Sequence, residues 1–160
     1  MEKMNDFEVM ISIIGAFVAM LAASFFSFSI LSIGGSTMIL ASTGASSLLV
    51  FGMPHSAASQ PWNIVGGQLV SAFVGVSCNL LMSNDIIAAS VAVPLAMLVM
   101  YKLRCMHPPG GATAVTAIVG GAHVQELGYA FLIIPVLFNS IIILSFALAA
   151  GSLREKNPYE

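Results

Sequence analysis

Long apolar runs separated by small clusters of charge lay out this chain. Residues 9–33, 62–83 and 127–151 are each apolar and long enough to cross a bilayer as a helix, which takes about 20 residues. A fourth run, 86–101, is shorter and carries Pro94, which a membrane helix tolerates where neighbouring groups satisfy the freed backbone. These are the predicted spans. Every charge falls outside them, in residues 2–8, at Asp85, at Lys102 and Arg104, at Glu126, or in residues 154–160. The start, MEKMNDFE, is acidic, and the run behind it is longer than a signal-peptide core. The first helix is therefore expected to be retained.

Two segments remain, 34–61 and 102–126, and they resemble each other. GASSLLVFG at 44–52 matches GATAVTAIVG at 111–120, and a histidine follows each, His55 and His123. The order long helix, glycine-interrupted short helix, long helix then occurs twice, with repeat one over about 9–83 and repeat two over about 86–152. Chance similarity between small-residue segments is the plainer alternative.

Positive charge separates two topologies. If the short segments pass through, the chain crosses six times, its second copy is inverted, and Lys3, Lys102, Arg104, Arg154 and Lys156 share one side, as the positive-inside rule expects. If they dip in and return, four transmembrane helices and two re-entrant half-helices result, with Lys102 and Arg104 opposite the termini. The six-segment arrangement is favoured. Its short helices, of about 12 residues or roughly 18 Å, need an extended lead-in to complete a crossing.

The sharpest local feature is His107-Pro108-Pro109-Gly110-Gly111-Ala112-Thr113. Proline suits a first helical turn and glycine permits close approach, so a helix is predicted to start here with its N–H groups aimed inward. Such an end attracts anions. In the first copy, Ser42-Thr43-Gly44-Ala45-Ser46-Ser47 offers a Ser/Thr cap to the matching short helix. The candidate binding residues are His107, Pro108, Pro109, Gly110, Gly111 and Thr113 from one start, with Thr43, Gly44, Ser46 and Ser47 from the other. Lys102, Arg104, His55, Gln60 and Asn63 are the candidate pathway residues. Plainer uses stand beside these. Pro-Pro-Gly-Gly also serves as a helix junction, His107 as a cap, Lys102 and Arg104 as topology charges, and His55, Gln60, Trp62 and Asn63 as an interfacial loop.

Composition narrows the classes. The 160 residues are 58% hydrophobic and 8% charged, against roughly 25% charged in a soluble domain, and the mean hydropathy is +0.97. Five basic and seven acidic residues leave a charge of -2, with no basic surface for a nucleic acid. Cys78 and Cys105 have neither zinc nor disulfide-framework spacing. No Ser/His/Asp set or carboxylate pair lies at membrane depth, so an enzyme is not expected.

The run HPPGGATAV at 107–115, with STGASSLLVFGMPHSAASQPWNIVGGQLVSAFVG at 42–75, resembles the HPP family of small integral membrane proteins, named for its His-Pro-Pro motif. The resemblance is strong over about 34–121 and rests on hydropathy outside. Its motif positions here are His107, Pro108, Pro109, Gly110, Gly111, Gly44, Ala45, Ser46, Gln60, Pro61, Asn63 and Gly67. It implies four transmembrane helices and, since plastid and cyanobacterial members are described as nitrite transporters, movement of nitrite or a similar small anion. Lys102 and Arg104 are not part of that pattern.

The reading that results is an all-α integral membrane protein, two inverted three-segment repeats forming one transmembrane domain over 1–160, that transports or conducts a small inorganic anion. No cofactor or metal is expected. The partners are the anion and the lipid bilayer, with homo-oligomerisation open, and the expected setting is a bacterial inner membrane with both termini cytoplasmic. Alternatives are a proton- or cation-coupled carrier using His55, His107 and His123, or a non-transporting membrane scaffold.

Overall fold

The computed structural model describes residues 5–31, 40–154 and 157–159, and among these all regular structure is helical. Lys3, Lys156 and the stretch around Gly34 lie outside the described residues. Helix α1 (Asp6–Leu31) opens on a reciprocal cap. Asn5 Oδ1 accepts from the Glu8 N–H at 2.9 Å, and Glu8 Oε2 accepts from the Asn5 N–H at 3.2 Å. The short helix α2 (Ala41–Gly52) leads through a turn at Ala57–Ser59 into α3 (Pro61–Leu81), which places proline in its first turn. Asn84 caps α4 (Asp85–Leu103) by accepting from the Ile87 N–H at 3.1 Å, and the helix stops at Arg104, whose φ of 54° is left-handed. The second short helix is α5 (Gly110–Val119), followed by α6 (Ala122–Leu127) and α7 (Phe138–Gly151).

Among the described residues, four stretches are long and apolar enough to span a membrane: Asp6–Ser29, Pro61–Leu81, Asp85–Leu103 and Ala122–Gly151. They match the runs expected from hydropathy, with two differences of local structure. The last stretch is not one helix from 127 to 151. Residues 128–132 form a tight 3-10 turn and residues 133–137 a wider one, with Ile134 extended before Pro135, because proline lacks an N–H and its ring disfavours a helical residue before it. The start of α2 also differs from expectation. Leu40 is its N-cap with no side-chain hydrogen bond, and Ser42 and Thr43 sit inside the first turn rather than capping it.

Contacts fix the direction of each helix. Gly67 of α3 lies against His107, and Gly75 lies against Ala114 and Ala117, so α5 runs parallel to α3. Ser12 of α1 meets Arg154 while Ser27 meets Asn139, so α7 runs antiparallel to α1. Phe51 of α2 packs on Gly15 of α1, and Thr43 meets Asn139, so α2 is antiparallel to α1 and parallel to α7. Trp62 donates to the Leu103 carbonyl at 3.2 Å, which puts the end of α4 beside the start of α3. Hence α1, α3 and α5 run one way, and α2, α4 and α7 the other.

Three packed groups result among the described residues, one of them joining Ala72 and Val76 of α3, Ala117 of α5, Val124 of α6, and Phe131 and Val136. On α4, Ala88, Ala92, Ala96 and Met100 form a buried stripe that packs with Val74, Cys78, Ala114 and Ile118 of α3 and α5. Ala19, Val50, Phe51, Ile143 and Ala147 join α1, α2 and α7, with Ile64 of α3 completing the cluster. The outer faces of α1 and α4 stay apolar and exposed, as at Phe17, Phe25, Ile86 and Met97. These are the surfaces that lipid solvates.

Candidate functional site

A chain of side-chain hydrogen bonds crosses the middle of the bundle. His107, fully buried, places Nδ1 2.8 Å from the carbonyl of Ala58 and Nε2 2.9 Å from Ser46 Oγ. A carbonyl only accepts, so Nδ1 carries the proton. A neutral ring then leaves Nε2 to accept from the Ser46 hydroxyl. Gln68 Nε2 donates to Ser46 Oγ at 2.8 Å, and Gln68 Oε1 accepts from the Thr113 hydroxyl. Every bond in this run has a defined direction. It ties the loop before α3 to the His-Pro-Pro turn, α2, α3 and α5.

A second polar group lies in the α1, α2 and α7 half. Asn139 Nδ2 donates to Ser27 Oγ at 3.0 Å and to Thr43 Oγ1 at 3.3 Å, while Ser27 Oγ donates back to Asn139 Oδ1 at 3.3 Å. Between the two groups is a small pocket with room for about one water-sized molecule. Its polar lining is Ser42, Thr43, Ser46, Gln68, Asn139 and Ser140, and Ile64, Val136 and Ile143 form apolar walls. Among the described residues no charged side chain lines it.

The structure thus brings His107, Ser46 and Thr113 together, with Thr43 across the pocket. Ser47 is buried close by on α2, and its hydroxyl has no hydrogen-bond partner among the described residues. The His-Pro-Pro turn has another use than offering free donors. The N–H groups of Gly110, Gly111 and Ala112 bond to the carbonyls of His107, Pro108 and Pro109 at 2.9, 3.0 and 3.1 Å. The first turn of α5 is therefore closed on itself, unlike the open donor set expected from the sequence. Gly110 is tight against Ser71 and the Gly67 carbonyl, whereas Gly111 and Gly44 face open space or distant contact. Pro108 is exposed and Pro109 buried.

The pathway candidates disperse. Gln60 Nε2 donates to the Pro158 carbonyl at 3.2 Å and Asn63 Nδ2 to the Met106 carbonyl at 3.0 Å, so both fasten loops. Lys102 and Arg104 are exposed at the end where α4 stops, beside the start of α3. His55 is exposed in the loop before α3, and His123 is exposed on α6 at the other end. The three histidines are therefore not brought together. Arg154, on the same end as Lys102 and Arg104, is buried and donates to Ser12 Oγ at 2.9 Å. Nearby, burial pushes the Tyr159 hydroxyl up to about 12, against the pull of the Arg154 charge. Among the described residues no three His, Cys, Asp or Glu side chains gather as a metal would require.

Gln68 and Asn139 are the site residues that motif reasoning passes over. The signal was present, since each is a carboxamide inside a run that is otherwise apolar or small, and a polar group at that depth needs partners.

Comparison with known proteins finds transmembrane relatives. Two transmembrane proteins of Dictyostelium discoideum are 32% and 36% identical to it over 126 and 125 residues, each alignment covering 76% of this chain but only 44% and 40% of the relative. The chain spans less than half the length of either. No solved structure matches it. The family description "HPP, transmembrane region" matches residues 1–160. With four membrane-length apolar stretches among the described residues and a His-Pro-Pro turn whose histidine is buried, the chain belongs to the HPP family of integral membrane proteins.

Proposed function

We propose that this chain is a transporter or channel for a small inorganic anion, nitrite being the first candidate, and that it performs no chemical step. The observation that carries this reading is the charge-free polar pocket buried in the middle of an apolar bundle, beside the start of a half-length helix. Polar side chains are costly in a membrane interior and concentrate where a solute passes. Weak binding by a few neutral donors suits passage, because a solute held tightly cannot leave.

The finer architecture belongs to the same proposal. Exchanging α1 with α4, α2 with α5 and α3 with α7 maps one set of helix pairings onto the other: α1 packs on α2 and α7 as α4 packs on α5 and α3, and α2 meets α7 as α5 meets α3. This supports two inverted three-helix units. The alternating helix directions support six passes, with α2 and α5 as the short interrupted members. Lys102, Arg104 and Arg154 then share the end at which α1 begins, which we assign to the cytoplasm of a bacterial inner membrane by the positive-inside rule.

The test is flux. Purified protein in vesicles should take up nitrite faster than empty vesicles, with saturation, and should be compared with nitrate, formate and chloride. A correctly inserted protein that moves none of these anions overturns the transport reading in favour of a scaffold.

A further inference from the structure

We infer that the pocket between α2, α3 and α7 is the solute site, and that Ser42, Thr43 and Gln68 select a monovalent anion of only a few atoms through neutral hydrogen-bond donors. This rests on the transport reading and names the site and the ligand class within it.

The pocket holds donors without a partner among the described residues. Ser42 lines it at 2% exposure, and its hydroxyl has no hydrogen-bond partner among the described residues. Thr43, 4% exposed, accepts from Asn139 and donates to no described residue. Gln68, also 4% exposed, has its oxygen held by Thr113 and one N–H engaged by Ser46 at 2.8 Å, which leaves the second N–H unclaimed. Buried polar groups are ordinarily satisfied, so three donors that line one pocket without a partner among the described residues mark a place where something else accepts.

The chemistry of that acceptor follows from the lining. A cation site presents carboxylate or carbonyl oxygens, and a hard cation takes several of them. This pocket has no carboxylate, and Asn139 Oδ1 is already occupied by Ser27. Helix α2 begins at Ala41 beside it, so the positive end of the aligned peptides adds to the preference for negative charge. Space for about one water-sized group excludes organic anions of any bulk; it takes a single-atom anion as it stands, and nitrite enters with movement of the lining side chains. His107 and Thr113 act one step back. Through Ser46 and directly, they fix Gln68 with its oxygen on Thr113 and one amide N–H on Ser46, which leaves the second N–H as the group it can offer.

Ser42 gives the cleanest test because its hydroxyl bonds to nothing among the described residues. The full chain is reconstituted in vesicles, and uptake of nitrite, formate and chloride is measured for the parent, Ser42→Ala, Ser42→Asp and Gln68→Glu, alongside thermal stability in detergent and water permeability. Ser42→Ala should lower nitrite flux about tenfold, as expected for the loss of one hydrogen bond to an anion, with stability unchanged or improved. Ser42→Asp and Gln68→Glu should abolish anion flux by placing negative charge in the pocket. If the parent moves nitrite and the Ser42 variants match it, the pocket assignment falls while transport stands. If the parent moves no anion, the transport reading falls first. Ser42-dependent passage of water without any anion would overturn the ligand class. Loss of stability in Ser42→Ala would give the hydroxyl a structural partner and overturn the assignment.

Discussion

At the scale of single residues, what separates the polar side chains in this bundle is whether they are partnered. Ser46 and Ser47 are neighbours on α2 and both are buried, yet Ser46 is bonded to His107 and Gln68 while Ser47 is bonded to nothing described. Their alanine variants should therefore diverge. Removing Ser46 Oγ strands the Gln68 amide and the His107 acceptor, and each stranded buried group costs about 1–3 kcal/mol. Ser47→Ala removes a hydroxyl that gains no hydrogen bond in the folded state, so its stability should equal or exceed the parent's by about 1 kcal/mol. Thermal unfolding in detergent compares the two directly. A destabilised Ser47→Ala would mean that a bound molecule or water satisfies the hydroxyl. The sequence singled out both serines equally, because a run of small polar residues does not reveal which hydroxyl meets a partner on a distant helix. His107 was legible as a special residue from its motif. Its role as the link between Ala58 and Ser46 was not, since both partners are more than forty residues away in sequence.

Among elements, the interface that matters most is α3 against the His-Pro-Pro turn and α5. A Cβ on Gly67 would stand 2.5 Å from the Cβ of His107 and 2.8 Å from the Cys105 carbonyl, and one on Gly75 would stand 2.5 Å from the Ala114 carbonyl. These contacts are with backbone or with a side chain fixed by two hydrogen bonds, so neither can yield cheaply. Gly67→Ala and Gly75→Ala should each cost about 1–3 kcal/mol through overpacking. Gly44 is the control. It lies inside α2 with nothing within 4 Å of its would-be Cβ, and Gly44→Ala should stabilise by roughly 0.5–1 kcal/mol through helix propensity. Equal tolerance at Gly67 and Gly44 would contradict the packing. The elements themselves were largely readable: four apolar runs, two glycine-interrupted short helices and the charges at their margins. The use of the glycines was not, because a glycine that admits another backbone looks the same in sequence as one that admits a ligand. The break at 128–137 was hidden for a similar reason. Pro135 sits in an apolar run whose hydropathy is the same whether the helix continues or stops.

At the level of the whole molecule, the short helices decide how the chain meets the bilayer. The 12 residues of α2 and 10 of α5 span roughly 18 and 15 Å, about half of a hydrocarbon core near 30 Å. Length alone therefore fits both a pass and a return. Direction is the stronger argument, since α5 runs parallel to α3 rather than folding back towards the end of α4. The charges agree, with Lys102, Arg104 and Arg154 at one end and Asp85 and Glu126 at the other. Single cysteines at Ala57, Ser83, Lys102, Glu126 and Leu153, all exposed, in a background where Cys78 and Cys105 are alanine, make this measurable. On six passes, positions 57, 102 and 153 label from one face and positions 83 and 126 from the other. Labelling of position 102 from the face opposite position 153 would leave four crossings with two re-entrant helices. The same end carries a functional consequence. A cleft bearing one sign of charge concentrates counter-ions, and salt screens the effect over about 10 Å at 0.1 M. Lys102 and Arg104 replaced together by Gln should keep the labelling pattern, because Arg154 still marks that face, yet lower anion uptake most at low ionic strength. Uptake equal to the parent's at low salt would make the pair a topology signal alone, with selection left to the pocket.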